Sequence, residues 1–149
     1  MKNKIYLGAD HAGFPLKEKL KRWLDRKRIP YQDLGNTILD PKDDYPDFAR
    51  KVARKVTQEG AQGLLFCGSA QGMCIAANKI KGIRAVVPSS VKETFLSRQH
   101  NQANVLCLSG WYTPFSKATK MLETFLRTPF SGEARHKRRL RKIRGIENG

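Results

Sequence analysis

A thiol that ends an apolar run and is followed at once by glycine is a place where a proton or a group can be transferred. In the stretch FCGSAQGMCIAANK, residues 66–79, Cys67 closes the run GLLF, and Gly68 and Gly72 bracket Ser69, Ala70 and Gln71 ahead of an Ala-rich segment of helical character. Glycine allows backbone conformations closed to other residues. The first turn of the following helix carries unpaired N–H groups at the positive end of its dipole, and together these attract an anion. The same positive end lowers the pKa of a nearby thiol, so Cys67 is expected to be partly thiolate and to act as a base or nucleophile. The competing reading is that a free cysteine simply ends a buried strand; it stays open for Cys67 and is preferred for Cys74 and Cys107.

Other reactive residues fall beside predicted strands. Asp10 and His11 lie in GADHAG (residues 8–13), and His100 and Asn101 precede the run NVLCLS (residues 104–109). GADHAG lacks the glycine spacing of a dinucleotide fingerprint. Between Arg135 and Arg144, seven of ten residues are Lys or Arg. On a helix Arg135 and Arg139 share a face one turn apart, where like charges repel until an anion sits between them. Leu140, Ile143 and Ile146 would anchor the opposite side, and Arg138, Arg141 and Arg144 read as solvated surface.

The elements that must position these groups alternate regularly. Strands are predicted at residues 4–9, 29–34, 63–67, 83–88 and 104–109, with helical periodicity at 15–27, 45–60, 72–80, 90–99, 113–128 and 135–143. Pro15 suits a first helical position and Gly60 a helix stop. Such alternation implies parallel βαβ units with right-handed crossovers, an α/β fold in three layers on a five-stranded, mostly parallel sheet. Ligands of such sheets bind beyond the carboxyl ends of the strands, near the point where strand order reverses.

At 149 residues the chain is read as one domain, with a basic C-terminal helix at about 133–145. Three widely spaced cysteines and the absence of a charged start followed by an apolar stretch point to a reducing cytoplasm. No apolar run approaches the roughly 20 residues that cross a bilayer. The 29 Lys and Arg against 13 Asp and Glu give a net charge of +16, which attracts polyanions in general. A nucleic-acid-binding protein would explain that charge, yet no binding motif or pattern of stacking aromatics accompanies it. A nucleotide-binding regulatory module on the same fold is a third class.

The motifs GADHAGF (8–14), DYP (44–46), residues 66–79 with their AANK ending, GIRAVV (82–87), SRQHNQANVL (97–106) and RHKRR (135–139) occur in order along nearly the whole chain. In these the sequence resembles the sugar-phosphate isomerases of the ribose-5-phosphate isomerase B and galactose-6-phosphate isomerase family. The resemblance implies the Rossmann-like α/β/α form of that three-layer sandwich, and a homodimer with active sites at the subunit interface, with pairing into tetramers left open, no metal and no cofactor. It implies interconversion of an aldose phosphate and its ketose, ribose 5-phosphate to ribulose 5-phosphate first, with allose or galactose 6-phosphate as six-carbon alternatives and nucleic acid not expected as a partner. It further implies Cys67 as the base, and the backbone amides of Gly68, Ser69, Ala70, Gln71, Gly72, Met73 and Cys74 as an anion hole. Ser69 would move protons between sugar oxygens and His100 would open the ring. Asp10 and His11 would contact ring or phosphate, Tyr45 would line the pocket, Asn101 would bind hydroxyls, and Arg135 and Arg139 would hold the phosphate. Two positions depart from the pattern: Ala70 stands where relatives usually carry glycine, and Trp111 where many carry an arginine that reaches the phosphate across the dimer.

Overall fold

The computed structural model describes residues 4–149. Five strands, β1 (Ile5–Ala9), β2 (Tyr31–Asp33), β3 (Gln62–Cys67), β4 (Ala85–Val86) and β5 (Val105–Ser109), form one sheet in the order β2-β1-β3-β5-β4. Every pairing is parallel, so the sheet is wholly rather than mostly so. Six helices accompany it: α1 (Phe14–Arg26), α2 (Tyr45–Glu59), α3 (Gln71–Ala77), α4 (Val91–Asn101), α5 (Phe115–Arg127) and α6 (Ala134–Glu147).

Side-chain alternation along the strands decides which helices cover which face. Leu64 and Phe66 of β3, with Ile5, Leu7, Leu106 and Leu108, pack under α1 and α5. Leu65 and Cys67 point the other way, with Tyr6, Val105 and Cys107, onto α2 and α3. Gly60 takes a left-handed conformation (φ 62°) and ends α2, as expected from the sequence. Among the described residues no helix is long and apolar enough to cross a membrane.

The predicted strand at 83–88 shrinks to two residues, and the reason is local chemistry. Edge strands leave ladder groups unpaired, and here one side-chain amide takes the place of a neighbouring strand. Asn78 Oδ1 accepts from the Ala85 amide at 2.8 Å and its Nδ2 donates to the Ala85 carbonyl at 3.0 Å; on the β5 side, Asn104 Oδ1 accepts from the Arg84 amide at 2.7 Å. Pro88 brings no donor to extend the pairing. The same Asn78 closes α3 at Ala77, shorter than the helix expected to residue 80.

The chain leaves β1 for β2 on one side and then crosses to β3 on the other, so strand order reverses between β1 and β3. Ala9 and Phe66 are paired there, and the residues that follow them, Asp10 and Cys67, emerge together. The crossing is tight. A Cβ on Gly13 would lie 2.4 Å from the Phe66 carbonyl carbon, whose oxygen already accepts the Asp10 amide at 3.2 Å. Because that obstacle is backbone, Gly13→Ala is expected to cost about 2–3 kcal/mol. Differential scanning calorimetry should then show Tm lower by roughly 5–10 °C.

Candidate active site

Cys67 is the last residue of β3 and only 4% exposed. Its carbonyl accepts from the Gly110 amide at 2.9 Å, and the Gly68 carbonyl accepts from Ser109 Oγ at 2.6 Å and the Trp111 amide at 3.2 Å. The end of β5 thus holds the 68–72 loop from below. Two aromatic side chains close it from the sides. A Cβ on Gly68 would meet the Trp111 ring at 2.6 Å, and one on Gly72 the Tyr45 ring at 2.3 Å. Both glycines are therefore required for contact rather than for conformation: neither takes a positive φ, contrary to the expectation that they supply backbone shapes closed to other residues.

Within the loop, the residue in the left-handed region is Ala70 (φ 69°), the position where relatives usually carry glycine. That conformation costs alanine about 1 kcal/mol. Its methyl is fully buried, and such burial contributes roughly 0.8 kcal/mol. The two terms nearly balance, so the loop keeps its shape with alanine in place.

The amides of Met73, Ala70 and Gly72 point at the Cys67 sulfur and favour its thiolate, as expected of a helix start. Burial nevertheless dominates, helped by the nearby Asp10 carboxyl, and the Cys67 thiol is pushed above its ordinary value rather than below it. The expectation of a partly ionised resting thiol is corrected accordingly. The amide cradle is also narrower than the run from Gly68 to Cys74. The Gln71 amide turns to Ser69 Oγ at 3.4 Å, and the Cys74 amide is spent on the Ala70 carbonyl at 3.2 Å. The Cys74 thiol turns away to the Ala85 carbonyl at 3.3 Å, and Met73 contributes a fully buried core side chain beyond its amide. Ser69 and Gln71 are exposed at the rim.

Across the switch point, Asp10 Oδ1 caps the Gly13 amide at 2.9 Å. Burial raises the Asp10 pKa, against that hydrogen bond. His11 is half-exposed, and its ring Nδ1 lies 2.8 Å from Asp43 Oδ1. Ligating atoms of Asp10, His11 and Asp43 fall within 4.8 Å of one another. Asp10, His11, Tyr45, Trp111 and the 67–73 loop thus form one cluster at the carboxyl ends of β1, β3 and β5.

His100, Asn101, Arg135 and Arg139 are not in it. His100 lies one residue from the end of α4, which precedes β5, whereas Cys67 pairs with Ser109 at the far end of that strand. The length of β5, roughly 13 Å at 3.3 Å per residue, separates the two levels. A second cluster forms there instead. The His100 ring packs against His136 of α6 at 4.5 Å between centroids, bringing α6 with exposed Arg135 and Arg139 alongside α4. Arg135 Nε is held by Glu133 at 3.0 Å. His136, hidden from sequence reading inside RHKRR, is 3% exposed. Its Nδ1 lies 2.6 Å from Ser131 Oγ, and burial, then the neighbouring His100, pushes its pKa down. It is the joint of this cluster. The exposed Ile143 and Ile146 do not anchor α6; Leu140 does.

A cavity of about 850 Å³ opens at the amino ends of the strands, lined by Ile5, Trp23, Gln62, Arg84, Arg98 and Asn104 among others. Its two half-buried guanidiniums are committed to carbonyls at helix ends: Arg98 Nε to Thr128 at 3.1 Å, and Arg84 Nε to Asn101 and Gln102, each at 3.1 Å.

The same fold recurs in known proteins of similar sequence. A family model described as ribose/galactose isomerase matches residues 5–143. The chain is 43% identical over 141 residues to a probable ribose-5-phosphate isomerase B of Mycoplasma genitalium, spanning 93% of this chain and 92% of that one. It is 37% identical over 138 residues to the ribose-5-phosphate isomerase B of Mycobacterium tuberculosis, spanning 92% and 85%. The crystal structure of the Mycoplasma genitalium enzyme with bound ribulose-5-phosphate matches with a TM-score of 0.94 at 42% identity, over 99% of this chain and 98% of that one. The Thermotoga maritima ribose 5-phosphate isomerase matches with a TM-score of 0.92 at 42% identity, over 97% and 99%. The chain belongs to the ribose/galactose isomerase family.

Proposed function

We propose that this protein interconverts ribose 5-phosphate and ribulose 5-phosphate through an enediolate, with Cys67 as the base and a homodimer as the working unit. The observation that carries the reading is the near-complete match to a relative crystallised with ribulose-5-phosphate. Aldose–ketose isomerisation needs a base that takes a proton from the carbon beside the carbonyl and returns it to the adjacent carbon, while the enediolate oxygen is stabilised between the steps. Cys67 stands where that base is needed, at the switch point beside Asp10 and His11. The amides of Ala70, Gly72 and Met73 favour negative charge on the sulfur before transfer, and with Gly68 lie close enough to serve the oxygen after it. Exposed Ser69 moves protons between the two sugar oxygens.

The remaining roles require a second copy of the chain. His100, which opens the ring, Asn101, which binds hydroxyls, and Arg135 and Arg139, which hold the phosphate, lie at the level of the sheet opposite to Cys67 in the same subunit. A symmetric dimer that lays the α4–α6 edge of one protomer over the switch point of the other completes two sites at once. Paired guanidiniums one helical turn apart then meet a phosphate with which their geometry is complementary.

Purified protein is expected to convert ribose 5-phosphate without added metal, and allose or galactose 6-phosphate more slowly. Of the two tryptophans, Trp23 is 9% exposed and Trp111 66% exposed against Gly68, so intrinsic fluorescence should change on substrate binding and this change should vanish in Trp111→Phe. No turnover of any aldose phosphate would overturn the proposal; preference for a six-carbon substrate would move it to the other branch of the family.

A further inference from the structure

Asp43 has no assigned part in the isomerisation, yet it bonds directly to His11 of the cluster. It ends an exposed, charged connection between β2 and α2, residues 34–44, but its own side chain is 6% exposed. Oδ1 accepts from the His11 amide at 3.0 Å and from His11 Nδ1 at 2.8 Å, and Oδ2 accepts from Asn36 Nδ2 at 2.9 Å. The Asn36 carbonyl in turn accepts from Lys17 Nζ at 2.7 Å. Lys17 is fully buried and paired with Asp33 at 2.8 Å. Next to it, a Cβ on Gly35 would lie 3.2 Å from the Ala9 amide nitrogen and 3.3 Å from Lys17 Nζ, so the connection runs close against β1 there. A continuous set of hydrogen bonds therefore leads from the buried ammonium of α1 through the 34–44 connection to the imidazole.

We propose that Asp43 is a positioning residue for the isomerase site: by holding both the backbone and Nδ1 of His11, it aims Nε2 into the substrate space and ties the 34–44 connection to that orientation. The proposal rests on the reading of His11 as a substrate contact. A carboxylate can only accept, so Nδ1 carries a hydrogen and Nε2 is the atom left for the ligand. The charged groups that face His11 are Asp43, Asp10 and Asp40, all acidic. The hydrogen bond to Asp43 is the largest influence, and it raises the His11 pKa against the effect of burial. The imidazolium persists to higher pH than a free histidine's, and Nε2–H then donates to an anionic phosphate or sugar oxygen. Above that range Nε2 loses its hydrogen and the contact weakens.

The test compares Asp43→Asn with the wild type by long-range proton–nitrogen NMR of His11 and by the pH dependence of KM and kcat for ribose 5-phosphate. The amide removes the charge at constant size. Expected are a lower midpoint for His11 titration, a KM about tenfold higher near neutral pH with kcat changed less than about threefold, and an alkaline rise in KM that begins at lower pH. Asp43→Glu, which keeps the charge, should recover part of the lost affinity. Asn36→Ala frees the carboxylate without removing it and should give a smaller change in the same direction, which keeps the idea testable if Asp43→Asn folds poorly. An unchanged KM profile in Asp43→Asn overturns the proposal, with or without a moved His11 midpoint. A wild-type chain inert toward ribose 5-phosphate defeats the isomerase reading itself, in an assay run before any substitution is made.

Discussion

Replacing Cys67 by alanine should abolish nearly all turnover while leaving the substrate bound. A positioned base contributes on the order of 10²- to 10⁴-fold. Asp10, the carboxyl beside the sulfur, has Oδ1 committed to the Gly13 amide and is read as a sugar contact rather than as the base. Binding belongs to other groups, so kcat should fall by about 10³-fold with KM changed far less, and the fluorescence response of Trp111 should persist. The wild-type pH profile should follow the state of the sulfur. Burial holds the folded thiol above its ordinary value, so thiolate is the minor form at neutral pH and its fraction grows about tenfold per pH unit as pH rises. The enzyme's kcat should therefore climb through the neutral range and level only above the usual thiol range, while kcat/KM climbs less steeply once His11 loses its charge and KM rises. Cys67→Ala should lose that climb. Full activity in the variant, measured by a coupled assay of ribulose 5-phosphate, would remove Cys67 from the mechanism.

That opposition between burial and amides shows where sequence reading reaches its limit. The identity of the loop and the helix after it were legible, because glycine spacing and an Ala-rich run are local signals. The sign of the Cys67 shift was not. It depends on how deeply the end of β3 lies under Ala70 and Met73, which is a property of the packed core. The strands were legible as apolar runs for the same local reason, and the sheet failed to match them at β4, where Asn78 reaches back from the end of α3 to occupy the open edge. Asp43 was missed because DPKDDYP has the composition of a solvated turn. Only the approach of Gly35 to β1 and Lys17 pulls that connection over the site. His136 was missed because a histidine among seven cations reads as surface.

The thiol that His100 serves was the least legible, and it leads to the sharpest test of how the site is assembled. A residue that leads into a strand of a parallel sheet lies at the amino ends, so the level of His100 follows from its place ahead of β5; which protomer's Cys67 it serves does not. If one protomer supplies Cys67 and its partner supplies His100, then Cys67→Ala and His100→Gln should each be nearly inactive as pure dimers. Mixed after unfolding and refolded together in equal amounts, they should form hybrids in about half of the dimers. In each hybrid one site collects both substitutions and the other collects none. Activity should therefore return to about one quarter of the wild-type level. No recovery in a mixture whose hybrids are shown by mass spectrometry would mean that each chain builds its site alone, and His100 would then act on nothing that Cys67 can reach.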